Sequence, residues 1–467
     1  MVFSSMTFLW VFLPILLALY FIAKDKYRNI ILLIFSLIFY SWGEPKYIVL
    51  MLISIFINYI FGLLIDKIKN KHVRRLTFIT IILINIGLLG YFKYFNFIIN
   101  NINRVFGLSL MKKSITLPIG ISFYTFQIMS YIIDLYTKKI KVQKNIFDLA
   151  LYISFFPQLI AGPIVQYKDV QEQIKKRKVT LEGFAYGTKR FIYGLSKKVI
   201  LSNTLALVAD TIFNSSINEI TTLLAWTGSI AYTLQIYFDF SGYSDMAIGL
   251  GRMFGFTFME NFDLPYKSKS ITEFWRRWHI SLSSWFRDYI YIPLGGNRKG
   301  KLRTYINLWI VFIATGVWHG AAWTFVAWGL YHGFFIFIER LFLKKILDKC
   351  HIINHIYTLL VVNFGWVLFR ADGIRYALAF IKRMIIPTTI ETNIKMYLLF
   401  TPSKITIFII AILFTFIIQE IFKKIKDNKV VSKIVPIAEI VCVIVLWFIC
   451  ISSLVSNTYN PFIYFRF

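Results

Sequence analysis

Apolar runs nearly as long as a bilayer core is thick recur from one end of this chain to the other. A transmembrane helix needs about 20 mostly apolar residues, so these runs have the length of membrane spans. Of the 467 residues, 57% are hydrophobic and only 16% are charged, which overrides the several soluble domains expected at this length. The short segments of alternating hydrophobicity that a β-barrel requires are absent. The sequence therefore predicts an all-α protein that crosses the membrane many times.

The apolar segments give an estimate of the topology. They lie at about residues 3–23, 29–42, 47–65, 76–99, 117–136, 146–165, 184–208, 222–250, 306–338, 356–368, 405–418 and 434–455. From these lengths we expect roughly ten to twelve crossings or re-entrant pieces. The segment 146–165 contains two proline breaks, and a broken helix is tolerated at membrane depth only where it is buried in protein or lines a cavity. No internal repeat or low-complexity linker interrupts the chain, which predicts one membrane domain over residues 1–467.

The net charge is +29, yet the Lys and Arg residues cluster between apolar segments rather than in one basic domain. Orientation in a membrane and contact with anionic lipid require such a distribution, which argues against nucleic-acid binding. Basic residues follow the first segment at Lys24–Arg28 and precede the last at Lys423–Lys433. The positive-inside rule therefore places both termini, including the aromatic tail 457–467, outside the cytoplasm, although the loop around Lys112 departs from the alternation.

Two histidines occur in the run Trp318–Gly333, which lies inside the apolar segment 306–338. An imidazole there is costly unless it is neutral and hydrogen-bonded, so an ionisable group at this depth is a functional candidate. If the run is one helix, His319 shares a face with Trp323, Val326 and Leu330, whereas His332 points away. We therefore expect His319 to be the catalytic residue.

Residues 260–304 form a segment of different character. Ser270–Glu273 fits a capping box, and the helix expected to follow would run over Phe274–Ile290. Trp275 and Trp278 would lie on its aromatic face and Arg276 on its polar face, which predicts an amphipathic helix that is interfacial or re-entrant. His279 falls on the aromatic face, where it is either a second active-site residue or an imidazole bonded to a backbone carbonyl.

The absence of several known motifs argues against other classes of enzyme. There is no phosphate-binding loop, no G-x-S-x-G elbow and no H-E-x-x-H zinc site, and the three cysteines lack metal-ligand spacing, so we expect no metal. Asp239 and Asp245 are acids within an apolar stretch. They would either orient a histidine or pair with an arginine, and pairing is the more frequent case.

Several long strings resemble the membrane-bound O-acyltransferase family, in the branch that contains the alginate O-acetylation protein and the membrane subunit of peptidoglycan O-acetyltransferase. They are YFDFSGYSDMAIG at 237–249, EFWRRWHISL at 273–282, WFRDY at 285–289, IPLGG at 292–296, WHG at 318–320, WG at 328–329 and VLFRA at 367–371. The resemblance covers most of the chain, and these motifs occur in the family's order.

This resemblance implies a ring of helices around a central tunnel in a bacterial plasma membrane. An acyl thioester, acetyl-CoA or another, would enter from the cytoplasm as donor substrate, with no bound cofactor, and the acyl group would leave on the far face. His319 corresponds to the family's catalytic histidine and His279 to its second active-site residue. Supporting residues would be Trp275, Trp278, Trp318, Asp239 and Arg276. A neutral imidazole suits a general base, and the tryptophans would exclude water.

The tail Phe462–Phe467 has the pattern F-x-Y-x-x-F. It resembles the carboxyl terminus of a small membrane peptide that works beside the D-alanyl-transferring member of the family, whose tyrosine is thought to carry the acyl group. This makes Tyr464 a candidate acyl carrier in cis. The alternative is an aromatic belt anchor at the outer interface.

Three other functions stay open on the sequence alone: D-alanyl transfer to teichoic acid, lipid or solute transport, and a structural role in a polysaccharide-secretion complex. The acceptor polymer is not identified by the sequence. No soluble catalytic domain is evident, so we expect an extracytoplasmic partner that resembles an SGNH hydrolase to complete the transfer.

Overall fold

The computed structural model describes residues 1–349, 351–388, 392, 394–418, 431–456 and 459–463. Within these residues every regular element is helical, apart from one isolated antiparallel bridge between Phe262 and Trp278. The α-helices are α1 Leu13–Ile22, α2 Asp25–Gly43, α3 Ile48–Lys67, α4 Lys71–Leu89, α5 Phe95–Phe106, α6 Ile121–Tyr136, α7 Ile146–Ser154, α8 Phe156–Leu159, α9 Tyr167–Lys175, α10 Leu181–Ser196, α11 Asn203–Phe213, α12 Thr222–Met253, α13 Ile271–Arg277, α14 Ile280–Phe286, α15 Lys301–His319, α16 Trp323–Ile338, α17 Lys344–Leu347, α18 His351–Arg370, α19 Ile374–Ile385, α20 Met396–Leu399, α21 Pro402–Leu413 and α22 Val431–Ser456.

Short π-helical stretches join or flank several of these helices, at Phe8–Phe12, Gly90–Tyr94, Lys197–Ser202, Arg287–Tyr291, Glu339–Leu343 and Phe414–Ile418. Two 3₁₀ turns lie at Ile217–Glu219 and Pro265–Lys267.

Six helices in the described part of the chain are long and apolar enough to cross a bilayer. They are Ile48–Lys67, Lys71–Phe106, Leu181–Phe213, Trp323–Leu347, Ile352–Arg370 and Pro436–Ser456, and two shorter apolar stretches lie at Phe8–Ile22 and Pro402–Ile418. The prediction of an all-α, polytopic membrane protein is therefore confirmed. The other predicted segments form shorter or less apolar helices.

The chain divides into two compact units, of which the first comprises residues 1–188 and 247–259. Two of its buried amides satisfy each other, as burial in an apolar surrounding favours. Asn58 of α3 and Asn85 of α4 are 1% and 3% exposed and exchange amide hydrogen bonds of 3.0 and 2.9 Å. The expected break in 146–165 occurs at Phe155, and the residues around it are buried in protein, as that prediction required.

The second unit comprises residues 189–246 and 260–467. Its helices approach closely where glycines face each other. A Cβ atom on Gly194 would lie 2.5 Å from the carbonyl oxygen of Gly242, and one on Gly316 of α15 would lie 2.4 Å from that of Phe325. On the facing helix α16, a Cβ on Gly329 would lie 2.4 Å from the carbonyl oxygen of Phe312. These contacts hold α15 and α16 together as a tight hairpin.

Candidate active site

His319 is the last residue of α15 and is 5% exposed. The chain then reverses through Gly320 and Ala322, both in extended conformation, and α16 begins at Trp323. A side chain at position 320 would overlap the ring of Phe325, because a Cβ atom there would lie 2.1 Å from it. The prediction of one helix through Trp318–Gly333 is therefore wrong, since this turn divides it.

The correction changes what surrounds His319. Trp323 and Leu330, which a continuous helix would put on its face, are 53% and 40% exposed. Instead the imidazole is enclosed by three buried rings, those of Trp318, Trp328 and Phe369, at centroid distances of 5.1, 5.0 and 5.2 Å. Each of these contacts is edge-to-face, the arrangement that aromatic rings prefer.

His279 lies in a second break, between α13 and α14. The predicted cap is present, because the Ser270 side chain accepts a hydrogen bond from the Glu273 backbone N–H. However, α13 ends at Arg277, and His279 has φ 45° and ψ 55°, the left-handed conformation that non-glycine residues rarely adopt. The prediction of one helix over Phe274–Ile290 is therefore wrong.

A short antiparallel contact holds this break in place. Phe262 bridges Trp278, the Asp263 N–H donates to the Arg277 carbonyl at 2.9 Å, and the Ile280 N–H donates to the Asn261 carbonyl at 3.0 Å. The two backbone bonds lie on either side of His279, so they fix the left-handed turn. The amphipathic division nevertheless persists, since Trp278 is 3% exposed while Arg276 is on the exposed surface.

The His279 side chain is 1% exposed and has polar neighbours. Its Nδ1 lies 3.1 Å from Asn261 Oδ1, and its ring meets Phe240 edge-to-face at 4.6 Å. The sequence left open a bond from this imidazole to a backbone carbonyl. In the structure its Nδ1 contacts a side-chain amide instead. Burial lowers the pKa of His279 well below its ordinary value, and the nearby His319 lowers it further.

The two candidate histidines meet at Trp318. Its ring centroid lies 5.1 Å from that of His319 and 6.3 Å from that of His279. Trp275 and Trp278 pack close by, Trp275 against Trp328 at 5.3 Å and Trp278 against Trp366 at 4.8 Å. We call the set Trp275, Trp278, Trp318, Trp328, Trp366 and Phe369 the aromatic cluster. All three tryptophans expected from the sequence belong to it.

His332 also contacts this cluster, which the sequence analysis missed. Its ring lies 5.0 Å from Trp275 and 5.1 Å from Trp328, and it is 1% exposed. Its Nδ1 has no hydrogen-bond partner among the described residues. The signal was available, because His332 follows Trp328 by one helical turn, but a continuous helix placed it away from His319.

A second residue that was missed is Glu339, which is 2% exposed at the end of α16. Its carboxylate accepts from the Ile271 N–H at 2.6 Å and from the N–H and hydroxyl of Thr272 at 3.0 and 2.7 Å. These groups form the first turn of α13, whose unpaired N–H groups favour an anionic partner. Glu339 thereby fixes the helix that leads to His279.

The two acids noted in the sequence are both paired with cations. Asp245 binds Arg190 at 2.8 Å and Lys197 at 2.6 Å, which confirms the expected pairing with arginine. Asp239 binds Lys198 at 2.6 Å, with side chains only 1% and 3% exposed. Its second oxygen accepts from the Ile463 N–H at 2.9 Å. Asp239 therefore binds a lysine and the tail rather than a histidine or an arginine.

The described part of the tail, residues 459–463, is anchored in the second unit. The Tyr459 hydroxyl donates to Asp210, and Lys198 donates to the Pro461 carbonyl. Phe462 is 7% exposed and packs on Tyr243 at 4.9 Å, while Ile463 is 6% exposed. Phe462 and Ile463 are thus buried in protein, which a belt anchor would not require. Tyr464 lies outside the described residues.

Within the described residues, no group of three or more His, Cys, Asp or Glu side chains could hold a metal ion. What the site offers is three buried imidazoles, those of His279, His319 and His332, around an aromatic cluster. This arrangement suits proton transfer during attack of a hydroxyl group on an acyl donor.

Comparison with known proteins agrees with this chemistry. Residues 136–378, which include both histidines, match the membrane-bound O-acyltransferase family. The probable alginate O-acetylase AlgI of Pseudomonas putida is 47% identical over 384 residues, which cover 81% of this chain and 79% of that protein. The peptidoglycan O-acetyltransferase of Helicobacter pylori is 36% identical over 422 residues, covering 82% and 80%.

A third relative matches over a smaller part. The teichoic acid D-alanyltransferase of Bacillus subtilis is 32% identical over 231 residues, which cover 46% of this chain and 56% of that protein. The resemblance inferred from the motifs is confirmed. Membership in a family of enzymes argues against a purely structural or transport role. With the buried histidines His279 and His319 in its matched region, this membrane-spanning chain belongs to the membrane-bound O-acyltransferase family and is an acyltransferase.

Proposed function

We propose that this protein transfers an acetyl group from a thioester donor, acetyl-CoA or another, for O-acetylation of a polysaccharide outside the cytoplasm. Two similar relatives are named for acetylation of alginate and of peptidoglycan, which supports both the acetyl group and a polysaccharide acceptor. The observation that carries the proposal is the meeting of His319 and His279 at Trp318, from two separate helical breaks.

We assign the general base to His319. As the attacking hydroxyl oxygen bonds to the thioester carbonyl carbon, the neutral imidazole takes the hydroxyl proton. The carbon–sulfur bond then breaks, and the imidazolium returns the proton to the leaving thiolate. The acetyl group has moved from sulfur to oxygen, a thiol is released, and His319 is neutral again. Its buried, apolar surrounding favours this neutral form before and after each transfer.

His279 is the second active-site residue in this proposal. Burial favours its neutral form too, so it acts by hydrogen bonding and not as a fixed charge. Its position across Trp318 from His319 supports a role in orienting the reacting groups beside the base.

The aromatic cluster would protect the acyl group from water. Trp318 and Trp278 are 5% and 3% exposed, and Trp275 packs edge-to-face on Trp328. Water admitted here would hydrolyse the donor, so apolar rings around the base direct the acyl group to the intended hydroxyl. Arg276, on the exposed face of α13, is a supporting residue whose role stays a prediction.

We infer that transfer proceeds across the membrane. The donor would enter from the cytoplasm through a tunnel within a ring of helices, and both termini would be extracytoplasmic. The six candidate spans support a multi-pass protein of the bacterial plasma membrane. A separate extracytoplasmic partner resembling an SGNH hydrolase would then pass the acetyl group to the polymer.

The tail offers a carrier for the outward step. We propose that the Tyr464 oxygen attacks the thioester carbonyl with His319 as base, which releases the thiol and forms a tyrosyl ester. A partner hydroxyl would then attack this ester and regenerate the phenol. A phenol, with a pKa of about 10, leaves more readily than an alkyl alcohol, so each transfer runs downhill. Burial of Ile463, which bonds to Asp239 beside the His279 contact Phe240, supports such a role.

The main experiment follows thiol release and polymer esters together. Purified protein in lipid vesicles is given isotopically labelled acetyl-CoA, and envelope polysaccharides are analysed from cells with and without the protein. We expect both signals to disappear in His319→Ala. The matched control is His72→Ala, which removes an exposed imidazole from the first turn of α4 and should leave both unchanged. Normal polymer acetylation in His319→Ala cells would refute the proposal.

The carrier is tested separately. Mass spectrometry of the terminal peptide should find an acetyl adduct on Tyr464 during turnover, and Tyr464→Phe should abolish acceptor esterification. Tyr459→Phe, which alters the other tail tyrosine, is the control. If Tyr464 carries no adduct and Tyr464→Phe is fully active, the carrier role fails while the acetyltransferase proposal stands.

The specific alternative is D-alanyl transfer, which the Bacillus subtilis relative favours. Such an enzyme would take its acyl group from a carrier protein instead of coenzyme A. Supplying each labelled donor in turn separates the two. Turnover with D-alanyl-carrier protein and none with acetyl-CoA would replace the acetyl donor in our proposal.

A further inference from the structure

Asn261 joins four polar groups beside His279, and it is itself 1% exposed. Its Oδ1 accepts from the Ser281 N–H at 3.2 Å and from the Ser281 hydroxyl at 2.9 Å, and it lies 3.1 Å from His279 Nδ1. Its Nδ2 donates to the Ser244 hydroxyl at 3.0 Å. No pattern in the sequence pointed to this residue.

These contacts determine which nitrogen of His279 carries the hydrogen. A backbone N–H can only donate, so the amide atom that faces the Ser281 N–H must be the oxygen of Asn261 and not its nitrogen. An amide oxygen can only accept, so His279 Nδ1 must donate to it. A neutral imidazole has one N–H group, and its lone pair is therefore on Nε2.

We propose that Asn261 is a positioning residue that holds His279 in its Nδ1–H tautomer, so that Nε2 presents a lone pair, and not an N–H group, to the active site. This inference rests on the proposed active-site role of His279. In the opposite tautomer Nε2 would carry a hydrogen and could only donate, so this ring could accept no hydrogen bond within the active site.

Asn261 also fixes where the ring stands. Its carbonyl oxygen accepts from the Ile280 N–H at 3.0 Å, while its side chain binds the next N–H, that of Ser281. Both bonds directly follow His279, whose left-handed backbone requires such support. One asparagine therefore determines both the conformation and the tautomer of the histidine.

The surroundings of His279 make a pH test interpretable. His319 is a titratable group that acts on it. Phe240, Asn261, Ser281 and Trp318 also contact this ring, and none of these four titrates near neutral pH. A carboxylate introduced at position 261 would thus be the new charge on the ring.

The first variant is Asn261→Asp in the full-length protein in lipid vesicles. A carboxylate still accepts from His279 Nδ1 and from the Ser281 N–H, so activity should persist. Its charge stabilises the imidazolium, which raises the pKa of His279. Because neutral His279 is the active form, the acidic limb of the kcat profile should move to higher pH by about one unit or more, with KM changed less than twofold. An unshifted limb would overturn the proposal.

The second variant, Asn261→Leu, removes the acceptor. We expect kcat to fall about 10- to 100-fold with little change in KM, and ¹⁵N NMR of labelled histidine to show that the Nδ1–H form of one ring is lost. Asn307→Leu is the matched control, because Asn307 is a fully buried amide that donates to the Gly296 carbonyl. Equal effects of the two leucine variants on kcat and on the NMR spectrum would overturn the proposal.

Should Asn261→Leu fail to fold, the pH shift in Asn261→Asp decides the matter alone. His279→Gln distinguishes this inference from the proposed function. If it leaves kcat and the pH profile unchanged, the role of His279 itself is wrong. If it reduces kcat while both Asn261 variants behave as wild type, only the positioning role fails.

Discussion

The two candidate histidines are held in different ways. His319 ends a regular helix and is fixed by the rings of Trp318, Trp328 and Phe369. His279 stands in a left-handed turn and is fixed by hydrogen bonds that Asn261 accepts. Packing supplies a dry surrounding for a base but does not select a tautomer. Hydrogen bonds select a tautomer, and they do so here in a conformation that costs about 1–2 kcal/mol.

The difference predicts how each site responds to substitution. An aromatic pair contributes about 0.5–1.5 kcal/mol beyond its buried area, so at position 319 another aromatic side chain should preserve stability. A hydrogen bond contributes a similar net amount, but an unpaired buried group costs about 1–3 kcal/mol. At position 279, a polar side chain that tolerates the left-handed region should preserve stability instead.

The largest effect is expected at His319. His319→Phe retains a ring for the three aromatic contacts but has no proton acceptor. We expect a melting temperature within a few degrees of wild type and a loss of about 10²–10⁴-fold in kcat, the usual contribution of general base catalysis. Thermal unfolding in detergent and initial rates of thiol release measure the two. Retained turnover in a folded His319→Phe protein would exclude His319 as the base.

The next effect separates His279 from His319. Asparagine tolerates the left-handed conformation better than alanine does, and it retains hydrogen-bonding groups. We expect His279→Asn to be more stable than His279→Ala by about 1 kcal/mol or more, while both lose roughly tenfold to 10²-fold in kcat. At position 319, which is helical, asparagine should offer no such advantage. Equal Asn–Ala differences at the two positions would contradict the comparison.

The parts of this structure that follow from local sequence were predictable. Apolar length indicated the helices, Ser270 and Glu273 indicated the start of α13, and the acids in an apolar stretch indicated ion pairs. His319 stood out because a histidine is rare among so many apolar residues. Each of these signals depends on residues within a few helical turns of one another.

The two turns that shape the site were not predictable in this way. Position 279 holds no Gly, Pro or Asn, and its conformation depends on Asn261 from another segment. At Gly320 the signal was a single glycine inside an apolar run, and the turn depends on the Phe325 ring packing against it. The role of Glu339 depends on its hydrogen bonds to the first turn of α13, which is distant in sequence. Tertiary contacts decided all three.

A smaller effect is expected from opening the aromatic cluster. Trp328 is 1% exposed and contacts both His319 and His332. Trp328→Leu should reduce acetyl transfer about tenfold and increase the share of donor that is hydrolysed, because water gains access to the base. The ratio of ester formed to thiol released measures this. Trp323→Leu is the matched control, because Trp323 is on the same helix but 53% exposed. An unchanged ratio of ester to thiol in Trp328→Leu would show that Trp328 does not exclude water from the site.

The smallest effect should come from the far end of α13. In Glu339→Gln one amide oxygen replaces two carboxylate oxygens, so either the Ile271 or the Thr272 N–H loses its acceptor. We expect a loss of about 1–3 kcal/mol in stability and a few-fold loss in kcat, with the pH profile unchanged. The control, Glu273→Gln, alters a carboxylate that is 30% exposed and pairs with Arg277 on the same helix, so its cost should stay below about 1 kcal/mol. Because α13 leads into the turn at His279, a less firmly held α13 should displace the His279 ring. The rate should fall for that reason, without a change in the pKa of the histidine. A shifted pH limb in Glu339→Gln would mean that this carboxylate acts on the charge of a histidine and not on the placement of the helix.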